Sequence, residues 1–215
     1  MEKFNSKKHW EDIYHTKEFK DVSWFQSTPY TSLNFFKEFK VPPAAKIIDL
    51  GGGDSFLVDH LLDLGYEDIT VLDISEAAIE RAKQRLGGQA GNVKWIVADA
   101  ANFKPDEKYD FWHDRAAFHF LTEKQEIKSY IETVQQNLNL NGILVIGTFS
   151  EEGPEKCSGI RIQQYSETTL TELFEPILKK IKCIRTDHKT PLGTVQNFVF
   201  CSFQKSKKIC IKPMQ

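Results

Sequence analysis

The sequence predicts an α/β fold, doubly wound around a mainly parallel sheet. Two observations carry this. Short apolar, β-branched segments alternate along the chain with amphipathic helical ones, and that alternation builds a parallel sheet covered on both faces. The first of these units is a strand, a glycine turn and a helix: Ile47-Ile48-Asp49-Leu50-Gly51-Gly52-Gly53-Asp54-Ser55. That is how a doubly wound sheet begins, with its ligand rim outside the carboxyl ends of the strands.

Each element has its own signal. Lys46–Leu50 is a short apolar strand, and Ser55–Leu64 a helix stopped by Gly65. Ile69–Ile74 is β-branched and reads as the second strand. Ser75 caps a helix whose Ile79, Ala82 and Leu86 share a face before Gly87 and Gly88 end it. Val93–Asp99 and Tyr109–Asp114 are the third and fourth strands. Thr122 with Gln125 matches a capping box, and the helix it opens sets Ile127, Tyr130, Ile131, Val134 and Leu138 on one side. Asn141-Gly142 turns into the fifth strand, Ile143–Phe149. A helix from Ser166 carries Leu170, Leu173 and Phe174. Two late strands, near Ile181–Thr186 and Val195–Phe203, flank a turn at Thr190-Pro191-Leu192-Gly193. The segment before Lys46 reads as a helical extension closed by Pro42-Pro43.

Composition narrows the functional classes. The 215 residues carry 40% hydrophobic side chains, enough for one domain with a sizeable core, and a formal charge of −2. With no basic stripe and no membrane-length apolar run, neither nucleic acid nor a bilayer is expected as partner. The start of the chain, Met1 to Trp10, is polar and lacks a signal-peptide apolar segment. Cys157, Cys183, Cys201 and Cys210 are scattered without metal spacing. The expectation is therefore a reduced, cytoplasmic protein, a monomer or homodimer, with no metal site.

The glycine turn asks what ligand touches bare backbone beside an acid. A dinucleotide fingerprint needs G-x-G-x-x-G, but after Gly51 and Gly53 the third position is Phe56. Asp49 and Asp54 flank the turn, poor company for a phosphate and suitable for a ligand with an ammonium group. A merely tight strand-to-helix turn explains the glycines equally well. The further acids decide between the readings. Asp73 ends the second strand, where it can accept from ribose hydroxyls. Asp99 ends the third, followed by Ala100, and places a carboxylate and a backbone N–H near an adenine edge. Together they describe a pocket for S-adenosylmethionine.

The chain resembles the class I S-adenosylmethionine-dependent methyltransferases. The resemblance runs from Trp10 to Phe203 and rests on Ile-Ile-Asp-Leu-Gly-Gly-Gly-Asp-Ser, Val-Leu-Asp-Ile-Ser, Val-Ala-Asp-Ala and Tyr-Asp-Phe-Trp-His-Asp-Arg. More narrowly it is similar to small bacterial-type members with His-Trp-Glu-Asp-Ile-Tyr near the start, then Val-Ser-Trp-Phe-Gln, Gly-Pro-Glu-Lys-Cys-Ser-Gly and a late His-Lys-Thr-Pro-Leu-Gly-Thr-Val-Gln. It implies a Rossmann-like sheet of seven strands in the order 3-2-1-4-5-7-6, the seventh antiparallel. It implies an extension and lid over residues 1–45, a methyltransferase domain over 46–205 and a tail over 206–215. It also implies Gly51 and Gly53 beneath the cofactor, Asp73 on its ribose, and Asp99 near its adenine. Trp24, Asp49, Ile74, Ala100 and His113 complete the expected cofactor set. The usual third glycine falls on Ser55, a departure that touches helix packing more than cofactor identity.

Acceptor-side candidates cluster after the fourth strand: His113, Asp114, Arg115 and His119. His113 and His119 each read also as buried, hydrogen-bonded histidines. Asp114 reads also as a cap, and Arg115 as its ion-pair partner or as a holder of the cofactor's carboxylate. Trp10, Tyr14, Trp24 and Phe25 read as packing of the extension or as a lid that excludes water. Late loops bring Cys157, more a structural thiol than a nucleophile, and His188. Trp112-His113-Asp114-Arg115 is similar to the Trp-Asp-Arg run of thiopurine methyltransferases, with a histidine inserted. The expected activity is methyl transfer to a small molecule by in-line displacement. The alternatives are a protein (lysine) methyltransferase and a non-catalytic S-adenosylmethionine-binding scaffold.

Overall fold

In the computed structural model the described residues are 4–207. The expected alternation builds one seven-stranded sheet. Its strands and helices are α1 (Ser6–Thr16), α2 (Tyr30–Glu38), β1 (Lys46–Leu50), α3 (Leu57–Asp63), β2 (Asp68–Asp73), α4 (Glu76–Leu86), β3 (Val93–Val97) and β4 (Tyr109–Arg115). They continue with α5 (Lys124–Asn137), β5 (Leu138–Phe149), β6 (Lys156–Cys157), β7 (Ile160–Arg161), α6 (Glu167–Phe174), β8 (Lys179–Lys189) and β9 (Val195–Gln204). The sheet order is β3-β2-β1-β4-β5-β9-β8. It matches the expected 3-2-1-4-5-7-6 once the small β6–β7 hairpin is set aside. β1 to β5 pair in parallel, and β9 runs antiparallel to both neighbours.

Alternation along each strand divides the core. On one face Trp112, Leu144, Ile146 and Val199 meet Tyr130, Ile131 and Val134 of α5 and Leu170 and Phe174 of α6. On the other Ile47, Phe111, Val145 and Phe200 meet Phe35 and Phe36 of α2 and Leu57 and Leu61 of α3. Phe36 lies over Phe111 with ring centroids 4.2 Å apart. Burying a phenyl ring stabilises by about 2–3 kcal/mol, so α2 belongs to the core and is not a loose extension.

Some boundaries differ from the sequence reading. α5 is capped by Glu123 with Glu126, one residue beyond the expected Thr122 and Gln125. β5 begins at Leu138, not Ile143; Asn141-Gly142 lies inside it, with Asn141 at φ 66° and bonded to Lys205 past the end of β9. The pairing of Leu138 with Tyr109 and the contact with the chain end, both distant in sequence, extend this strand. The β6–β7 hairpin replaces what reads as a loop at Cys157-Ser158-Gly159. Cys183 and Cys201, directly opposite in the β8–β9 register, form a disulfide. The expectation of reduced thiols is not met there, because strand register and not sequence spacing brings the two together. Cys157 is a buried free thiol, and Cys210 lies outside the described residues.

Candidate active site

The turn after β1 is held by the backbone of β2 and leaves no room for side chains at its glycines. The N–H groups of Gly51 and Gly52 donate to the Leu72 carbonyl at 2.7 and 3.2 Å. Gly51 has φ 66°, and a Cβ there would sit 2.7 Å from that of Ala117. A Cβ on Gly52 would meet the Asp49 carboxylate at 2.5 Å, and one on Gly53, at φ 31°, the Asp73 carboxylate at 2.5 Å. The glycines are thus required by the close approach of two carboxylates and a neighbouring loop.

Two of those acids are buried at the sheet rim. Asp73 accepts from the Ser75 N–H at 2.8 Å. Burial drives its carboxyl up to about 7; the Ser75 bond opposes this, and the charges of Asp49 and Glu11 add to it. Asp49 lies 2.7 Å from Nδ1 of His113, whose Nε2 is 2.9 Å from the Ser32 hydroxyl. With Nδ1 donating to the carboxylate, Nε2 accepts from Ser32 in the neutral ring. Both ring nitrogens are therefore engaged, and a base role for His113 would require Ser32 to let go. Exposed Asp99 turns one oxygen to the Ala101 N–H at 2.9 Å. Asp54 differs from expectation. It pairs with Arg81 at 2.8 Å and with Arg85, so its charge is neutralised within the protein.

The end of β4 separates the acceptor candidates. Asp114 has no exposure; it accepts from the N–H groups of Ala117 and Phe118, each at 3.0 Å, and from the Tyr130 hydroxyl at 2.7 Å. It clasps the loop after β4 and, contrary to the acceptor-side expectation, is closed off from the rim. His119 is also fully buried, its Nδ1 taking the Phe149 N–H at 3.4 Å. Burial, and then the Arg115 charge, push it down to about 3, so the ring is neutral. Arg115 makes no pair with Asp114; two of its N–H groups donate to the Trp24 carbonyl, both at 3.2 Å. Its guanidinium lies 5.4 Å from the Phe198 ring centre, and burial lowers its pKa to about 10.

The N-terminal segment closes over this rim. Trp10 packs against Trp24 and Phe120 with centroids 5.6 and 5.2 Å apart, and Tyr14 against Trp24 at 6.1 Å. Phe25 instead packs with Phe19 on Phe56, the residue at the failed third-glycine position. Phe56 therefore packs against the N-terminal segment where a dinucleotide fold would keep a glycine. Glu11 of α1 accepts from the Ser75 hydroxyl and the N–H groups of Glu76 and Ala77, at 2.8–3.0 Å, at the start of α4. In return Arg81 of α4 donates to the carbonyls of Tyr14 and Lys17 at the end of α1. Each helix caps the other. His188 does not reach the rim as expected; it bonds Ser23 and Gln26 and ties the β8–β9 hairpin to the N-terminal segment.

Between the N-terminal segment and the strand ends lies a cavity of about 380 Å³. That is within the range of about 300–1,000 Å³ for small-molecule sites. Trp24, Asp49, Gly51, Asp73, Ile74, Asp99, Ala100, His113 and Arg115 all border it, as do Trp10 and Tyr14. Gly53, Asp114, His119 and His188 do not border it. Ser32, Glu126 and Arg161 do, and the sequence reading missed them; they come from elements whose contact with the rim only folding reveals. The donor set fits S-adenosylmethionine. Asp73 keeps one carboxylate oxygen beyond the Ser75 bond, bare glycine backbone forms the floor, and the acids face a ligand with cationic groups. Cys157 borders the cavity as a neutral thiol, pushed up by burial to about 11. No cluster of metal-ligating side chains occurs among the described residues, and no helix among them is long and apolar enough to cross a membrane.

Comparison with known proteins agrees with this fold. The eEF1A lysine and N-terminal methyltransferase of Mus musculus is 27% identical over 126 residues, 58% of this chain and 18% of that protein. Malonyl-[acyl-carrier protein] O-methyltransferase 1 of Ilyobacter polytropus is 28% identical over 107 residues, 49% of this chain and 38% of that one. The chain thus spans well under half the length of either relative. Among solved structures, the Burkholderia thailandensis 1,6-didemethyltoxoflavin-N1-methyltransferase, with 1,6-didemethyltoxoflavin and S-adenosylhomocysteine bound, superposes with a TM-score of 0.70. The match is 16% identical and covers 94% of this chain and 87% of that one, which speaks to the fold. The methyltransferase domain family matches residues 43–189, well over half of the chain, and with the sheet order above it makes this chain a member of the class I S-adenosylmethionine-dependent methyltransferases.

Proposed function

We propose that this chain transfers a methyl group from S-adenosylmethionine to a small molecule bound beneath the N-terminal lid. The observation that supports the reading is the cavity of about 380 Å³, of small-molecule size and bordered by the rings of Trp10, Tyr14 and Trp24. When bound, the cofactor supplies an electrophilic methyl group on a sulfonium, open to in-line displacement. The chain's part is to bind, orient and exclude water. In this reading Asp73 accepts from the ribose hydroxyls, Asp99 and Ala100 face the adenine, and Asp49 and the glycine turn hold the amino-acid end. The indole rings keep water from the transfer region. The relatives are named for protein and for acyl-carrier acceptors, so methylation of a protein lysine or N-terminus is the competing reading. A labelled methyl donor incubated with the protein and a cell extract separates the two. Label is expected in the low-molecular-mass fraction, and label confined to proteins would reverse the assignment. Calorimetry should show S-adenosylhomocysteine binding and NAD not binding; tighter binding of NAD would sink the cofactor assignment.

A further inference from the structure

The cavity is electrically lopsided. Asp49, Asp73 and Asp99 lie on the β1–β3 side, whereas the cations at its wall, Arg115 and Arg161, lie on β4 and the β6–β7 hairpin. Arg161 is exposed at the rim. Arg115 is the informative residue, because its charge has no ion-pair partner among the described residues. Its two bonds fall on a single neutral carbonyl, that of Trp24. Asp49, whose charge it feels, is taken by His113. Burial, and with it this same guanidinium, lowers the pKa of His119 and of His188. Beyond those two bonds the guanidinium keeps N–H donors where it borders the cavity, and its planar fork suits a carboxylate.

We propose that the methyl acceptor is a small aromatic or apolar carboxylic acid whose carboxylate pairs with Arg115. This rests on the small-molecule reading above. The rings of Trp10, Trp24 and Phe120 supply apolar surface for the body of the acid. Glu123 and Glu126, at the cavity edge where α5 begins, repel its charge from that side. Pairing with a guanidinium stabilises the carboxylate and blunts it as a nucleophile, so it serves as an anchor. The methylated atom lies elsewhere on the acid. The cofactor also owns a carboxylate, and the test separates the two sources.

The protein loaded with S-adenosylhomocysteine is titrated with benzoate, phenylacetate and indole-3-acetate, and with benzamide, phenylacetamide and indole-3-acetamide. At least one acid is expected to bind, with its amide about tenfold or more weaker, the size of one charge-assisted hydrogen-bonded pair. Arg115→Gln should erase that acid–amide difference. The wild-type contrast stands by itself should the variant fail to fold. Acids and amides binding alike, or none of the acids binding, overturns the proposal. So does a fall of about tenfold in S-adenosylhomocysteine affinity in Arg115→Gln, which assigns the guanidinium to the cofactor's carboxylate. S-adenosylhomocysteine that fails to bind wild-type protein sinks the methyltransferase reading itself, and this proposal falls with it.

Discussion

Asp73 stands where two demands on one carboxylate conflict. The proposed role has it accept from ribose hydroxyls as a carboxylate, while burial raises its pKa to about 7. Hydroxyl donors favour the ionised form, so cofactor binding and deprotonation reinforce each other. With the folded pKa above the ordinary carboxylate range, ionisation on raising the pH toward 7 costs the ligand-free fold stability and readies the site. S-adenosylhomocysteine affinity should therefore rise by about tenfold from pH 6 to pH 8, measured by calorimetry, and Asp73→Asn should flatten the profile. Replacement by Ala should cost about 1.5–3 kcal/mol of binding while the protein stays folded. Unchanged affinity in a folded Asp73→Ala protein would refute the ribose role. Asp114, equally acidic in sequence, ends in structural service because three donors surround it.

At the scale of elements, α1 is attached by its ends and its aromatic face, and it buries no residue of its own. Its firmest polar tie is Glu11 on the start of α4, one step from Asp73 through Ser75. Glu11→Ala removes a cap worth about 1 kcal/mol. Faster hydrogen exchange is expected across Ser6–Thr16, with S-adenosylhomocysteine dissociating about fivefold faster, since about 1.4 kcal/mol is tenfold. Exchange in α1 equal to wild type would show that the aromatic rings alone hold the lid. A motif that reads in sequence as His-Trp-Glu-Asp-Ile-Tyr thus divides its labour: Trp10 and Tyr14 face the cavity while Glu11 fastens the helix.

At the scale of the whole molecule, the last two strands of the sheet, β9 and β8, are bridged by Cys183–Cys201. The bridge spans 18 residues, and a loop of that length constrains the unfolded chain by about 3 kcal/mol. Reduction should lower the midpoint of urea unfolding accordingly and leave S-adenosylhomocysteine affinity unchanged. An unaltered midpoint after complete reduction would show that β8 and β9 gain nothing from the bond. The pairing was illegible beforehand, since two cysteines meet only once both strands have a register.

Local chemistry determined most of the architecture directly from sequence. Apolar alternation placed the strands, Ser75 and Ser166 capped helices where they stand, and the glycine turn announced a ligand against bare backbone. Strand order itself came from resemblance to a family. Tertiary structure decided which of the polar side chains after the fourth strand face the cavity. His113, Asp114, Arg115 and His119 sit within a few residues of one another, yet strand pleat and loop direction turn two of them to the cavity and seal two away. Spacing along a chain sets which residues share a face of their own element. It carries no information on what another element brings to that face, and Ser32, Glu11 and the Trp24 carbonyl each arrive from far away in sequence.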